Sequence, residues 1–409
     1  MSHDQASATI VAAPLPAPLR GSIRVPGDKS ISHRAVLFAA MAEGTSRLSG
    51  VLDSQDVRSS IRAVRALGAE ASLEKQLMGV LAPWDVRVEL TGDESIVRRP
   101  MRRITAPLMK MGARFLPEGR ETLPITVCGS RRLRAIAYDA PMASAQLKTA
   151  VLLAGVFAEG VTVLNEPAPS RNHTELMLPE FGVDTTAADR TASVTGPARL
   201  KACEVRVPGD PSSAAFIVCA AAVRPGSSVR VEDVSLNPAR IGFVRTLERM
   251  GADVSVRRTG AAGKEPYGVI EVRHTPDLHG CEVPAEKIAS IVDEVPVLAL
   301  VAAHARGVTV FREVGELRVK ETDRLAAVVE GLARLGVDAW EEGNDLVIEG
   351  QPGLRTPSGA VFDSKGDHRL AMTWALAGLC GTAPVEVRDF DAVKVSYPGF
   401  LFDIERLAR

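Results

Sequence analysis

The sequence predicts an α/β protein of two similar domains, each built from repeated βαβ-type units, with one unit incomplete. Three observations predict it. First, a pattern of polar loop, small-and-apolar helix, Gly or Pro turn and β-branched strand recurs along the chain, and strands alternating with helices at this spacing belong to layered α/β architectures. Second, the pattern closes repeatedly on Met-Gly-Ala, Leu-Gly-Ala or an equivalent, at Gly68, Gly112, Gly182, Gly251 and Gly336. Third, 409 residues with 46% apolar content exceed what one core of roughly 100–200 residues uses.

In chain order, helix fronts fall at Gly27-Asp-Lys-Ser, Ser144-Ala-Gln, Gly209-Asp-Pro-Ser-Ser, Asp293-Glu-Val-Pro and Gly366-Asp-His-Arg. Stretches 161–164, 229–231 and 308–311 supply β-branched strands behind their helices. The closing glycines are 44, 70, 69 and 85 residues apart, so the first interval is short by about 25 residues on the repeat's own period. The shortage is placed at Gln76-Leu77. There, Leu77-Met-Gly-Val-Leu-Ala-Pro-Trp-Asp-Val-Arg-Val aligns with the second half of Leu152-Leu-Ala-Gly-Val-Phe-Ala-Glu-Gly-Val-Thr-Val but lacks its loop and first helical turns. About six residues before Pro83 are too few for an ordinary helix of roughly 11. A sixth unit that has lost its front is expected, with a naturally degenerate unit as the alternative.

Composition excludes several classes. With 49 Lys+Arg against 50 Asp+Glu, the chain lacks the basic excess that a nucleic-acid groove or a membrane-surface patch requires. There is no run of 18 apolar residues, and the stretch up to Arg20 has no basic opening and is broken by Pro14, Pro16 and Pro18. It reads as a loose tail, and a cytoplasmic protein is expected. Cys128, Cys203, Cys219, Cys281 and Cys380 are odd in number and far apart, as buried thiols in a reducing compartment would be.

The charged chemistry is expected where loops meet helix fronts. Lys29, Ser30 and Arg34 run into a helix, whose free N–H groups and dipole favour an anion; Ser30 and Arg34, four apart, share a face. A phosphate clamp and a plain N-cap with solvated neighbours both fit this loop. Ser144 and Gln146 open a second helix, and Ser170-Arg171 precede a third. Hydroxyl, amide and guanidinium suit a phosphorylated, polyhydroxylated molecule, while helix capping accounts for each alone. Asp210 and Pro211 read as a cap and first helical residue. Asp293 stands at a unit front among apolar side chains, and Lys320, Glu321 and Arg324 crowd together downstream. A Lys beside carboxylates can be tuned for acid–base work, although an acidic first turn explains Glu321 and Asp323 equally. Arg369, after His368, and Lys394 could hold an anion or lie in solvent. His33 and His173 are read as packing or surface residues. Neither metal-ligand spacing nor a Rossmann or P-loop glycine pattern occurs, so no cofactor is expected.

Six segments carry a resemblance. Val25-Pro-Gly-Asp-Lys-Ser-Ile-Ser-His-Arg, Arg98-Arg-Pro-Met, Pro141-Met-Ala-Ser-Ala-Gln-Leu-Lys, Val207-Pro-Gly-Asp-Pro-Ser-Ser, Glu316-Leu-Arg-Val-Lys-Glu-Thr-Asp-Arg and Asp367-His-Arg-Leu-Ala-Met together resemble the 3-phosphoshikimate 1-carboxyvinyltransferase (EPSP synthase) family. The likeness runs in order from about residue 20 to the C-terminus. It implies an inside-out α/β barrel of two three-unit domains, 27–207 and 1–26 with 208–409. It also implies transfer of the enolpyruvyl group from phosphoenolpyruvate to the 5-hydroxyl of shikimate 3-phosphate in aromatic amino acid biosynthesis, by a cytoplasmic monomer without a cofactor. By the resemblance, Lys29, Ser30, Arg34, Ser144, Gln146, Ser170 and Arg171 hold the shikimate phosphate and ring. Lys29, Arg99, Arg324, Arg369 and Lys394 hold phosphoenolpyruvate. Asp293 and Lys320 serve the attacking hydroxyl, and Glu321 protonates the methylene carbon.

Two departures stand out. Glu316 and Ala145 occupy positions where some members have Asn and Ser. The family also carries a Gly-Asn-Ala/Ser-Gly-Thr loop and a following Arg, directed at phosphoenolpyruvate, just before the segment that Leu77-Met-Gly-Val-Leu-Ala resembles; no residue here corresponds to them. The alternative this raises is a chain that binds shikimate 3-phosphate without turning it over. UDP-N-acetylglucosamine enolpyruvyl transferase shares the architecture but uses a reactive loop Cys, and none of the five cysteines lies in such a motif.

Overall fold

The structure, a computed structural model, describes residues 8–64, 74–91, 97, 99–188 and 190–409. Gly68 and Arg98 lie outside the described residues, as do the side chains of Gln76 and Leu77. The chain divides into two compact units. An inserted unit comprises 29–207 with 261–265, and a terminal unit comprises 1–28, 208–260 and 266–409.

The inserted unit holds helices α1 (Lys29–Met41), α2 (Gln55–Val64), α3 (Glu74–Leu81), α4 (Arg102–Met111), α5 (Ala145–Phe157) and α6 (His173–Met177). The terminal unit holds α7 (Pro211–Val223), α8 (Gly242–Arg249), α9 (Ala285–Ile288), α10 (Val295–Ala303), α11 (Arg324–Arg334), α12 (His368–Leu379) and α13 (Phe400–Leu407). Alternate helices differ in kind. α5 is buried without interruption from Leu147 to Val156, and α7 and α10 are buried on every side, as sequences apolar all round require. α8 instead buries only Phe243, Val244, Thr246 and Leu247 and turns its charged face outward. Asp210, with Pro211 at the first helical position, caps α7 as expected from the sequence, and Ser144 and Asp367 cap α5 and α12.

The closing glycines have a physical reason. Gly112, Gly182, Gly251 and Gly336 all have positive φ, between 76° and 113°. Each ends a helical turn in the left-handed region where a Cβ is strained.

Three sheets share one plan. In the inserted unit, strand Gly160–Asn165 lies between a parallel partner, Ala137–Asp139, and an antiparallel pair, Thr191–Gly196 and Thr185–Ala188. In the terminal unit Ser228–Ser235 lies between parallel Arg20–Arg24 and antiparallel Glu265–Arg273 with Val254–Ala262. Gly307–Phe311 likewise lies between parallel Glu282–Val283 and antiparallel Asp345–Gly350 with Ala339–Glu342. A three-stranded sheet of Val361–Asp363, Val385–Arg388 and Ile10–Ala12 completes this unit. The last strand corrects the expectation of a loose tail up to Arg20: from Ile10 the chain is built in, and Leu15 and Leu19 are buried. Its apolar residues outweigh the prolines, which extended backbone tolerates at a sheet edge.

Two sheets of the inserted unit are smaller. Arg47–Ser49 pairs in parallel with Glu204–Arg206, without an antiparallel pair among the described residues. Arg87–Leu90 has its antiparallel pair, Ile125–Cys128 with Arg114–Leu116, but no parallel partner among the described residues. In the common plan all three strands that are wanting would fall between α2 and α3, where only residues 65–73 stand. The equivalent connections run through 112–144 and 335–367. α3 is itself 8 residues long, against 13 for α1, α5 and α7. It packs closely on α5: a Cβ on Gly79 would lie 2.3 Å from the Ala150 carbonyl oxygen.

Candidate active site

In the inserted unit, the front of α1 and the approach to α6 come together. Lys29 Nζ lies 3.0 Å from Asp56 Oδ2, and Arg171 Nη1 donates to Ser30 Oγ at 3.4 Å. Arg34 Nη1 donates to the Ser30 carbonyl at 2.9 Å, while its Nε and Nη2 donate to Thr174 and Thr149 hydroxyls at 2.9 and 2.8 Å. Arg34 is 2% exposed, so its guanidinium fastens α1 to α5 and α6 beneath the Lys29-Ser30 loop. Lys29, Ser30 and Arg171 are the partly exposed members of this group.

Ser144 caps α5, its Oγ accepting the Leu147 N–H at 3.4 Å, and Gln146 stands exposed on the first turn. Ser170 Oγ is buried without a hydrogen-bond partner among the described residues. Arg99 is half-buried just ahead of α4. His33 fits its packing role. Its Nδ1 and Ser60 Oγ are 2.8 Å apart, and burial, reinforced by Lys29 and Arg34, lowers its pKa to about 3. It is neutral near pH 7 and carries no charge to an anion.

In the terminal unit a second group gathers on Asp293. Its Oδ1 is 3.3 Å from Arg324 Nη1 and 3.9 Å from Lys320 Nζ, and its Oδ2 is 3.6 Å from Arg369 Nη2. Arg369 Nη1 also donates to the Asp293 carbonyl at 3.0 Å. Arg324, 1% exposed, donates through Nε to Asp367 Oδ2 at 2.7 Å and through Nη2 to Glu321. Burial alone would weaken its hold on the proton, yet Asp367, Glu321 and Asp293 together push its pKa up. Lys320 is also 2.6 Å from Glu316 Oε1, so the Glu that departs from some relatives holds the Lys on its outer side. Asp323 caps α11, accepting the Ala326 N–H at 3.0 Å, which separates its role from that of Glu321.

Lys394 is different. It pairs with Asp391 and is 58% exposed, on a 3-10 turn, Phe390–Val395, that packs against α12. The described contacts leave it outside the Asp293 group. Cys219 and Cys380 are buried and Cys128, Cys203 and Cys281 half-buried, none of them in a disulfide. No group of three or more His, Cys, Asp or Glu suited to a metal occurs among the described residues, and no described helix is long and apolar enough to cross a membrane.

Sequence reasoning missed the residues that hold these groups in place. Asp367 caps α12 through the Arg369 and Leu370 N–H groups while pairing with Arg324. Glu294, 3.6 Å from Arg369 Nη1, accepts from the Ser212 hydroxyl, which in turn lies 2.9 Å from Arg240 Nη2. Arg240 also pairs with Asp28 at 2.6 Å and Asp210 at 2.8 Å. Burial and the nearby Asp293 charge push the Glu294 pKa up against the pull of Arg369 and Arg240. One signal was available: a charge inside an apolar run, as at Glu294 before Val-Pro-Val-Leu-Ala-Leu, needs a partner when buried.

The EPSP synthase (3-phosphoshikimate 1-carboxyvinyltransferase) family model matches residues 15–77 and 74–404. The chain belongs to this family. The match falls into two pieces that meet at 74–77, beside the short connection. A 3-phosphoshikimate 1-carboxyvinyltransferase of Brevibacillus brevis is 40% identical over 93% of this chain and 96% of its own. One from Xanthomonas campestris is 42% identical, over 93% of each. Among solved structures, an EPSP synthase of Acinetobacter baumannii superposes with a TM-score of 0.87 at 35% identity, covering 98% of both chains. The enolpyruvyl transferase NikO of Streptomyces tendae has the same fold at 18% identity, with a TM-score of 0.77 over 98% of both.

Proposed function

We infer that the protein transfers the enolpyruvyl group of phosphoenolpyruvate to the 5-hydroxyl of shikimate 3-phosphate, releasing phosphate, in aromatic amino acid biosynthesis. The observation that carries this reading is the Asp293 group, one carboxylate among Arg324, Lys320 and Arg369. Two anionic substrates repel each other, and fixed cations in a low-dielectric setting offset that repulsion. Asp293 and Lys320 take the proton of the attacking hydroxyl as its oxygen bonds to C2. Glu321 delivers a proton to C3, and the tetrahedral adduct forms. Loss of phosphate from C2 and of one proton from C3 then restores the double bond. Lys29, Ser30, Arg34, Ser144, Gln146, Ser170 and Arg171 hold shikimate 3-phosphate; Arg99, Arg324, Arg369 and Lys394, with Lys29, hold phosphoenolpyruvate. The protein acts as a cytoplasmic monomer on small molecules, without nucleic acid or membrane.

Phosphate release measured with both substrates tests the reaction. Release dependent on both, with formation of the enol ether, is expected; none at millimolar concentrations of each overturns it.

One observation favours a second reading, capture of shikimate 3-phosphate without turnover. We attribute the two small sheets to the segment expected to be missing at Gln76-Leu77, at the front of α3. It would have supplied the antiparallel pair beside Arg47–Ser49, the parallel edge beside Arg87–Leu90 and the loop ahead of α3. Support comes from residues 65–73 alone spanning this connection and from the family match breaking at 74–77. The family's phosphoenolpyruvate loop precedes this helix, so weakened phosphoenolpyruvate binding follows. Calorimetry that finds shikimate 3-phosphate bound, with no phosphate released, would establish the second reading over the first.

A further inference from the structure

The repeated scaffold places a buried helix behind each candidate loop, so these helices can be compared position by position. Four residues beyond the N-cap, α7 carries Ala214, α10 Leu298 and α12 Ala371, each fully buried. At the same position α5 carries Lys148, also buried at 3% exposure. The scaffold therefore does not need a cation here, and an ion among apolar neighbours carries a desolvation cost that an aliphatic side chain avoids.

Lys148 is surrounded accordingly. Its Nζ is 2.7 Å from Glu166 Oε2, 2.8 Å from Glu175 Oε1 and 3.5 Å from the Ser170 carbonyl, which occupies the three donors of an ammonium. Both carboxylate side chains are 3% exposed. Glu166 Oε1 accepts the Ser144 N–H at 3.3 Å. Beside Lys148, Thr149 Oγ1 lies 2.7 Å from Thr174 Oγ1, next to Glu175. One ammonium thus ties together the cap of α5, the 166–171 loop and α6, the parts of the inserted unit that bear Ser144, Ser170 and Arg171.

We infer that Lys148, Glu166 and Glu175 are positioning residues that set these loops for shikimate 3-phosphate without touching it. The inference rests on the substrate assigned under Proposed function. The fold of the other buried helices does not call for the triad, since α7, α10 and α12 carry aliphatic residues in its place; what it adds is a fixed geometry for the cap of α5, the 166–171 loop and α6.

Calorimetry with shikimate 3-phosphate and the full chain tests it, using Lys148→Met, Lys148→Arg, Glu175→Gln and Val194→Ala. Val194 is buried on the sheet of the same unit and serves as a control for lost stability. Lys148→Met is expected to weaken binding at least tenfold, Glu175→Gln by about threefold to tenfold, and Lys148→Arg to recover most of the loss, because a guanidinium can bridge both carboxylates. Val194→Ala should lower the unfolding temperature yet leave affinity within twofold. If the chain turns over, Lys148→Met should raise the KM for shikimate 3-phosphate with kcat within threefold.

Affinity within twofold of the parent in Lys148→Met, or in Glu175→Gln should the first not fold, overturns the inference. So does an equal loss in Val194→Ala at matched unfolding temperature. Failure of the parent chain to bind shikimate 3-phosphate would overturn the function and this inference together, whereas a binding parent with indifferent variants sinks this inference alone.

Discussion

The terminal and inserted units are two realisations of one plan, and they differ in completeness. Among the described residues the terminal unit has sheets of four, four and three strands, and the inserted unit has four, three and two. The ionic group on Asp293 lies wholly in the unit with fuller sheets, and the Lys29, Ser30 and Arg171 group in the other. A helix front is a good place for charge only while the sheets around it keep it in place, since a site 1 Å too loose loses its advantage. The comparison predicts that chemistry and binding of shikimate 3-phosphate can be separated by substitution, and that the inserted unit is the weaker of the two.

The largest expected effect sharpens that separation. Asp293→Asn keeps the shape of the side chain but removes the charge facing Arg324, Lys320 and Arg369. It should cost about 10²–10⁴ in kcat, the usual range for general acid–base work, while calorimetric affinity for shikimate 3-phosphate changes less than threefold. Loss of that affinity as well would show that binding is not confined to the inserted unit's residues. Next in size is repair. Inserting at the connection between α2 and α3 a segment of about 25 residues that carries the family's Gly-Asn-Ala/Ser-Gly-Thr loop should lower the KM for phosphoenolpyruvate by about tenfold or more, through restored anion donors. An unchanged KM in a chain whose sheets have been completed would remove the connection from the account of activity.

How much of this was legible in the sequence depended on whether the physics was local. Helix fronts, caps and closing glycines follow from neighbouring residues: Asp210-Pro211 and the positive-φ Gly112, Gly182, Gly251 and Gly336 are local devices. The short first interval between closing glycines stands out because a repeat supplies its own ruler. What could not be read was pairing across distant segments. Asp28 meeting Arg240 and Asp367 meeting Arg324 join residues far apart in the chain, and no periodicity encodes such a contact. The tail was misjudged for the same reason, since strand Ile10–Ala12 finds its partner at Val385–Arg388. Lys394 was named by a motif, and among the described contacts it pairs with Asp391.

A smaller effect probes the packing of α3. A Cβ on Gly79 would stand 2.3 Å from the Ala150 carbonyl oxygen, and one on Gly378 of α12 would stand 2.3 Å from that of Ala12. Overpacking of this kind costs about 1–3 kcal/mol. Gly79→Ala should therefore lower protection from hydrogen exchange in α5 while leaving α10 unchanged, and Gly378→Ala should do the reverse. If each substitution lowered protection in both helices equally, the units would be one cooperative block and the comparison between them would fail.

The last expected effect is one of pH, and it belongs to the inserted unit through His33. Burial first, then the Lys29 and Arg34 charges, lowers its pKa from 6.5 to about 3. In the unfolded chain the imidazole takes up a proton as pH falls through 6.5, whereas in the folded unit it stays neutral, bonded to Ser60. Stability from this group is thus fully present above pH 6.5 and is lost progressively between pH 6.5 and 3, at up to about 1.4 kcal/mol per pH unit. His33→Gln gives up the hydrogen-bond geometry but has no proton to take up. Its unfolding temperature should start lower at pH 7 and fall less steeply than the parent's between pH 6.5 and 4.5. His304, half-buried and lowered to about 4 by desolvation, gives the terminal unit an acid sensitivity of its own, so the readout is hydrogen exchange at α1 against that at α10. Parallel acid slopes for parent and variant at α1 would mean that His33 is not held neutral, and the packing assigned to the front of α1 would have to be redrawn.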